Sequence, residues 1–411
     1  MPTVTLITPD ESRMTPDERR SAFSLASIYA LRMLGLFMVM PVFMLEARHY
    51  EGGDDLSAVG MAMGVYGLVQ AVLQIPFGMA ADRFGRKRVI YLGLALLALG
   101  SIVGATATSV GGLALGRALQ GGGAISAAVT ALLADQTRDA VRTKGTALVG
   151  ASIGLMFALS LVLGPLLSGW GGLSAIFGVT LLLAVCGVAI VRFWTPPEPS
   201  LPMAGQAKHS LWGLLVHPDL IRLNFGVFAL YAVQLASWVA IPALLIQAGV
   251  ASADHGWIYL PAVLLSFVVM GVTLFPMERR GLLRPLFLGC ILLVMVVQAG
   301  WGWLATSSPP LWMLAILLFL FFCGFNVLEA SQPSLASRLA PTGSRGAALG
   351  VYNTLQSLGI FAGGAMGGLL LKSVGASGVF LTSAALMLVW LGVAWGARFV
   401  NKSPSGVASV H

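Results

Sequence analysis

Long apolar stretches constrain this chain more than any other feature of its sequence. A membrane-spanning helix rises about 1.5 Å per residue, so it needs roughly 20 apolar residues to cross about 30 Å of hydrocarbon. We identify twelve such stretches, approximately 22–46, 57–80, 88–108, 111–134, 145–168, 173–194, 221–247, 256–276, 285–305, 311–335, 346–371 and 376–399. Helices are expected, because lipid offers the backbone no hydrogen-bond partners and the short alternating segments of a membrane β-barrel are missing from the sequence. The sequence therefore predicts an all-α membrane protein with twelve transmembrane helices.

The composition excludes several classes of protein. Hydrophobic residues make up 57% and charged residues 10% of the 411 positions, against about 45–50% and about 25% in soluble domains. So few charges cannot cover the surface of a soluble globule of this length. A soluble enzyme, a nucleic-acid-binding protein and a disordered chain are therefore excluded, and a lipid bilayer is the expected environment.

The positions of lysine and arginine predict the orientation. Twenty of the 24 fall on one side of the predicted spans, whereas Arg48 and Lys372 fall on the other and Arg32 and Arg117 lie within spans. Because cytoplasmic loops carry the excess of Lys and Arg, both termini are expected in the cytoplasm.

A proline-rich segment divides the spans into six and six. The expected units are a cytoplasmic segment 1–21, a six-helix bundle 22–194, a cytoplasmic linker 195–219, a six-helix bundle 220–400 and a short cytoplasmic tail 401–411. The halves are related in sequence, since 82–88 matches 278–284 at an offset of 196 and 144–148 matches 345–349 at an offset of 201. Parallel six-helix repeats are a known transporter plan, with the substrate site between the halves near the middle of the membrane.

Three motifs then suggest a family. The loop after the second span reads GMAADRFGRKR at 78–88, the fourth span reads LALGRALQGGGA at 113–124, and the fifth carries Gly154, Gly164 and Pro165. These resemble the cytoplasmic loop motif, the intramembrane-arginine motif and the antiporter motif of the major facilitator superfamily, drug/proton antiporter type. The resemblance implies two pseudo-symmetric halves in a bacterial inner membrane that bind a small-molecule substrate and protons, without a cofactor; a monomer is expected. The sequence also resembles one family member with a soluble domain after its last span, a domain expected to be missing here because the chain ends at His411.

The resemblance assigns a conformational latch to the loop motif. Its residues are Gly78, Asp82, Arg83, Gly85 and Arg86, together with Asp135. Asp82 is expected to stabilise the N-terminus of the eleventh span near Gly346 by about 0.3–1 kcal/mol, and Arg86 to pair with Asp135. These contacts would hold the outward-facing state and break in the inward-facing one. The alternative is a basic loop that only sets topology.

Three charges lie at membrane depth. Arg32, Arg117 and Glu329 each cost at least about 2.5–3.5 kcal/mol there and mark a pathway or relay by default. Glu329 is the only acid within the apolar part of any span. Burial disfavours an ionised carboxyl and a nearby arginine favours it, so we expect Glu329 to be the main protonation site, with Arg32 or Arg117 competing for it. The alternative is a fixed ion pair or a hydrogen bond to Asn326 or Asn353.

Polar, aromatic and methionine residues on central spans predict the cavity lining. They are Met33, Phe37, Tyr66, Gln70, Gln120, Tyr231, Gln234, Trp238, Asn326, Asn353 and Gln356. An adaptable apolar pocket with scattered amides suits amphiphilic, often cationic or neutral substrates. The alternative for each residue is helix–helix packing with interhelical hydrogen bonds.

The function expected from these observations is efflux of small amphiphilic compounds by proton antiport. Proton-coupled transport of a sugar or other polar metabolite is the main alternative, and a membrane-embedded transferase or a non-transporting receptor is less favoured. The histidines have no metal-ligand spacing and no phosphate-binding Gly-x-x-x-x-Gly-Lys-Ser/Thr motif occurs in the sequence, so neither a metal site nor an ATP site is expected.

Overall fold

The computed structural model describes residues 14–198, 217–307, 310–340 and 345–396, which are predominantly helical. The helices are α1 Pro16–Phe37, α2 Phe43–Glu46, α3 Leu56–Phe84, α4 Arg86–Ala105, α5 Val110–Gly122, α6 Ser126–Asp135, α7 Asp139–Phe193, α8 Pro218–Gln247, α9 Gly256–Arg279, α10 Leu283–Leu304, α11 Leu311–Leu339, α12 Arg345–Ser373 and α13 Gly375–Trp395. The predicted tail 401–411 and most of the predicted N-terminal segment and linker lie outside the described residues.

The helices coincide with the predicted spans, but two spans are broken. Within the described residues, nine helices are long and apolar enough to cross a membrane. One of them, α7, is kinked at Gly171 and Gly172 and so covers the predicted fifth and sixth spans. The first span is interrupted between α1 and α2, where Pro41 lacks a backbone donor, and the fourth between α5 and α6. The number of membrane crossings stays a prediction.

Most contacts between helices fall within residues 14–198, which we call the first half, or within 217–396, which we call the second half. In the first half α1 packs on α7, and α5 packs on α3 and α4; in the second half α10 packs on α11 and α13, and α9 on α11. The halves contact each other chiefly where α3 meets α12, and also where α7 meets α9. One apolar core runs through both halves near 38–47, 157–161 and 235–245, while a separate core of the first half surrounds Leu25, Ile90 and Leu132. The halves are thus joined at the end that carries Asp55 and Lys372, which we call the outer end.

Glycine permits this close contact between α3 and α12. A Cβ added at Gly60 would lie 2.5 Å from the Gly364 carbonyl oxygen and 2.5 Å from the Gly368 Cα. The helix backbones therefore touch directly, as small residues allow in membrane bundles. An ion pair closes the same seam, because Lys372 Nζ lies 3.1 Å from Asp55 Oδ1. Asp55 also caps α3 by accepting a hydrogen bond from the Ser57 amide at 2.9 Å.

The opposite end, which we call the basic end, begins with a capped helix. Thr15 and Glu18 form a capping box at the start of α1. Arg138 also donates to Glu18, with its Nε 2.8 Å from Glu18 Oε1. This contact ties α1 to the segment between α6 and α7.

The Glu18 contact predicts an acid-sensitive contribution to stability. The Arg138 hydrogen bond lowers the pKa of Glu18 from 4.5 to about 2. A carboxyl with a lowered folded-state pKa stabilises the fold above its ordinary pKa, and that stability is lost as the pH falls from 4.5 toward about 2. We expect Glu18→Gln to lower the unfolding temperature of the purified protein at pH 7 and to have little effect near pH 2. The control is Glu51→Gln, an exposed carboxyl; an equal effect of Glu18→Gln at both pH values would contradict the prediction.

Candidate functional site

The loop motif joins three helix ends of the first half. α3 stops at Gly85, whose φ of +99° favours glycine, and α4 starts at Arg86. Arg86 Nη1 lies 3.3 Å from Asp82 Oδ1. Its Nε pairs with Asp135 at the end of α6. Arg86 therefore holds the basic ends of α3, α4 and α6 together.

A carboxylate from the start of the predicted linker completes this junction. Glu198 Oε1 accepts a hydrogen bond from the Arg86 amide at 2.6 Å, and Oε2 accepts one from the Lys87 amide at 3.4 Å. Lys87 Nζ donates to the Thr195 carbonyl oxygen at 2.9 Å. Glu198 thus satisfies free N–H groups at the α4 N-terminus, where the helix dipole favours an anion. The sequence analysis missed this role, although an acid flanked by prolines in TPPEPS was the available signal.

The other latch residues make fewer contacts. Arg83 lies over the Phe84 ring, with its guanidinium carbon 5.4 Å from the ring centroid. A Cβ at Gly78 would be 3.8 Å from Ala127 Cβ, so this position is not crowded. The expected contact of Asp82 with the start of α12 near Gly346 falls on residues whose side chains are not described. The latch stays a prediction.

A buried polar cluster lies in the middle of the first half. Arg32 Nη2 is 3.2 Å from the Tyr66 hydroxyl, and Arg117 lies over the face of the same ring, 4.8 Å from its centroid. Arg117 Nη1 donates to Gln120 Oε1 at 3.0 Å, and Gln120 Nε2 donates to Ser101 Oγ at 3.0 Å. Two arginines from α1 and α5 therefore share one tyrosine of α3.

The second half holds the carboxyl group. Tyr231 of α8 donates its hydroxyl to Glu329 Oε1 of α11 at 2.7 Å. Tyr352 and Gln356 of α12 lie within interaction range of Tyr231. Asn326, considered above as a partner of Glu329, instead donates to Ser266 Oγ at 2.8 Å. The described contacts thus give Glu329 a tyrosine partner that the sequence analysis had assigned to the cavity lining.

The remaining predicted cavity residues are buried or half-buried within both halves. Trp238 is buried with its ring centroid 5.1 Å from that of Tyr259, and the Phe37 centroid is 5.2 Å from that of Phe157. Gln70 and Gln234 are buried, whereas Met33, Asn353 and Gln356 are half-buried. These positions combine aromatic and amide groups near the two polar clusters.

The antiporter-motif glycines lie at helix contacts. A Cβ at Gly154 would be 3.3 Å from the Phe267 ring of α9, in the other half, and one at Gly164 would be 2.5 Å from the Met38 carbonyl oxygen. Pro165 follows within α7. Gly154 is therefore at the seam, and Gly164 allows α7 to approach the break that follows α1.

Comparisons with known proteins agree on a family. Residues 25–364 match the family model of the Major Facilitator Superfamily. The chain is 41% identical over 406 residues to the inner membrane transport protein YajR of Escherichia coli K12, covering 98% of this chain and 87% of that protein. It is 28% identical to the multidrug resistance protein MdtH of Aeromonas salmonicida, covering 85% and 87% respectively. The crystal structure of a mutant of the nucleoside transporter NupG superposes with a TM-score of 0.75 at 13% identity, covering 91% of this chain and 99% of that one, which shows a shared fold.

Proposed function

Since the chain belongs to the major facilitator superfamily, a class of transporters and not of enzymes, we propose that it couples proton movement to the export of small amphiphilic compounds. It is a multi-pass inner-membrane protein, as its relative YajR is by name. Twelve spans with cytoplasmic termini, a monomeric state and the two-bundle division with its linker are part of the proposal. Similarity to a multidrug resistance protein supports drug-like substrates.

The observation that carries the proposal is the placement of the three membrane-depth charges. Arg32 and Arg117 are buried in the first half, and Glu329 is held by Tyr231 in the second, with the seam between them. A carboxyl that contacts only neutral groups in one state can bind a proton, and release it when the environment changes. Rocking of two halves around a central site supplies such a change.

Contacts between the halves support an assignment of this structure to the inward-facing state. The halves touch along α3–α12 and carry the Asp55–Lys372 pair at the outer end. At the basic end the ion pairs Arg86–Asp135 and Arg338–Glu278 each stay within one half. The Arg86–Asp135 pair, expected above to break in the inward-facing state, is therefore formed in the state assigned here, and only the contact of the loop motif with α12 is left to mark the outward-facing one. In the proposed cycle the outer contacts separate as the loop motif engages α12.

A liposome experiment tests the proposal. The purified protein is reconstituted with a pH-sensitive dye inside, and lipophilic drugs, dyes and sugars are added under an imposed proton gradient. Substrate-triggered proton flux with lipophilic compounds is the expected result. Flux with sugars alone would favour transport of polar metabolites, and no flux from folded protein with any compound would contradict proton coupling.

A further inference from the structure

The buried charges of the described bundle do not balance. Arg32 and Arg117 are only 1% and 2% exposed. Arg32 contacts the hydroxyl of Tyr66 and Arg117 contacts its ring, and Tyr66 carries no charge. Among the described residues, no carboxylate contacts either arginine. The one acid at this depth, Glu329, lies in the other half and accepts from Tyr231. The first half therefore presents two positive charges without a counter-charge.

Both arginines also have N–H donors without an acceptor. Nε and Nη1 of Arg32 and Nε of Arg117 are buried and have no hydrogen-bond partner within the described part of the chain. A buried charge with unsatisfied N–H groups is unfavourable, and the penalty is relieved by an acceptor that carries negative charge. Arginine binds carboxylate and similar oxyanions better than any other side chain, because its planar donors match their geometry.

The surroundings suit the rest of such a ligand. Gln70 and Gln74 follow Tyr66 at one and two helical turns on the same face of α3, and each has a buried side-chain oxygen without a partner among the described residues. The site thus places two amide groups on the face of α3 that carries Tyr66, the residue that both arginines contact.

We propose that the transported compounds are amphiphilic organic acids whose carboxylate binds Arg32, with the Tyr66 hydroxyl as a second donor and Arg117 as a supporting charge. This inference rests on the proposed transport function and replaces cationic or neutral compounds as the expected substrates. A cationic ligand at this site would face two like charges at short range. An acid instead supplies the acceptor that Arg32 lacks.

Three probes with one skeleton test the charge preference. They are 4-phenylbutyrate, its primary amide 4-phenylbutanamide and the amine 4-phenylbutylamine, and their binding to the full-length protein in nanodiscs is measured by calorimetry at pH 7. The carboxylate is expected to bind about tenfold or more tightly than the amide, because an ionised, bidentate partner of the guanidinium is roughly twice as strong as the single neutral acceptor of an amide. The amine is expected to bind most weakly.

Variants assign the preference to Arg32. Arg32→Gln is expected to remove the advantage of the carboxylate over the amide, while Arg32→Lys retains part of it because the charge stays. The comparison of two probes on one variant does not depend on its stability, and thermal unfolding checks that each variant is folded. A carboxylate that binds wild type no more tightly than the amide, or an advantage unchanged in Arg32→Gln, would overturn the proposal.

The liposome assay separates this inference from the proposed function. Selective carboxylate binding that depends on Arg32, without any substrate-triggered proton flux, would uphold the acid site and reject proton coupling. Proton flux driven by amines and neutral drugs, without carboxylate preference, would uphold coupled export and reject the acid site. If Glu329→Gln removed the carboxylate preference as completely as Arg32→Gln, Glu329 would be part of the binding site and the assignment to Arg32 would be wrong.

Discussion

Glu329→Gln is expected to reduce proton-driven transport in liposomes to the level of protein-free vesicles. Glutamine keeps the size and can still accept the Tyr231 hydrogen bond, but it cannot gain or lose a proton. Exchange of substrate between the two sides needs no net proton movement, so it should continue. The measurement is uphill substrate accumulation under a proton gradient compared with exchange without one.

The matched control is Glu278→Gln, at the basic end of α9. This acid pairs with Arg338 and lies outside the central clusters. It is expected to retain proton-driven transport. Full uphill transport by Glu329→Gln would show that the proton binds elsewhere, whereas loss of both uphill transport and exchange would point to a structural role.

Gly364→Ala is expected to shift the protein away from the state described here. The new Cβ would lie 2.7 Å from Gly64 Cα and 2.8 Å from the Gly60 carbonyl oxygen, and neither backbone atom can rotate away. Overpacking of this kind costs about 1–3 kcal/mol, enough to change a conformational equilibrium by about fivefold to a hundredfold. The outer ends of α3 and α12 should therefore separate. Net transport should fall, because the protein can no longer close its outer end during the transport cycle.

Spin labels report this shift. Cysteines at Ala58 and Ser373, both exposed at the outer ends of α3 and α12, are labelled in a background from which Cys186, Cys290 and Cys323 have been removed. Pulsed electron resonance should show a longer distance in Gly364→Ala. The control is Gly350→Ala on the same helix, where an added Cβ meets nothing within 4 Å; an unchanged distance in Gly364→Ala would refute the role of this contact.

The sequence predicted the helices better than their contacts. Apolar length and the lipid environment determine where helices form, and the predicted segments do lie on helices. The break after α1 could not be predicted from the sequence. Pro41 lies within it, but proline also occurs inside the unbroken helices α3 and α8. Local sequence signals a possible break, and the neighbouring helices decide whether it occurs.

The candidate site was predicted in its residues but not in its pairing. Glu329, Arg32 and Arg117 were identified because charge at membrane depth is rare. The Tyr231–Glu329 bond joins residues 98 positions apart, and the Glu198–Arg86 bond joins residues 112 apart. No periodicity in the sequence predicts either pairing, since both pairings depend on how separate helices and the predicted linker pack. The proposed acid site likewise depends on what Arg32 does not contact, which only the three-dimensional arrangement reveals.

The anchoring of Glu198 has a mechanical consequence for the proposed rocking of the two halves. Because its carboxylate binds the start of α4, the chain as far as Glu198 would move together with the first half. In that proposal the first moving half therefore ends at Glu198 and not where α7 ends at Phe193.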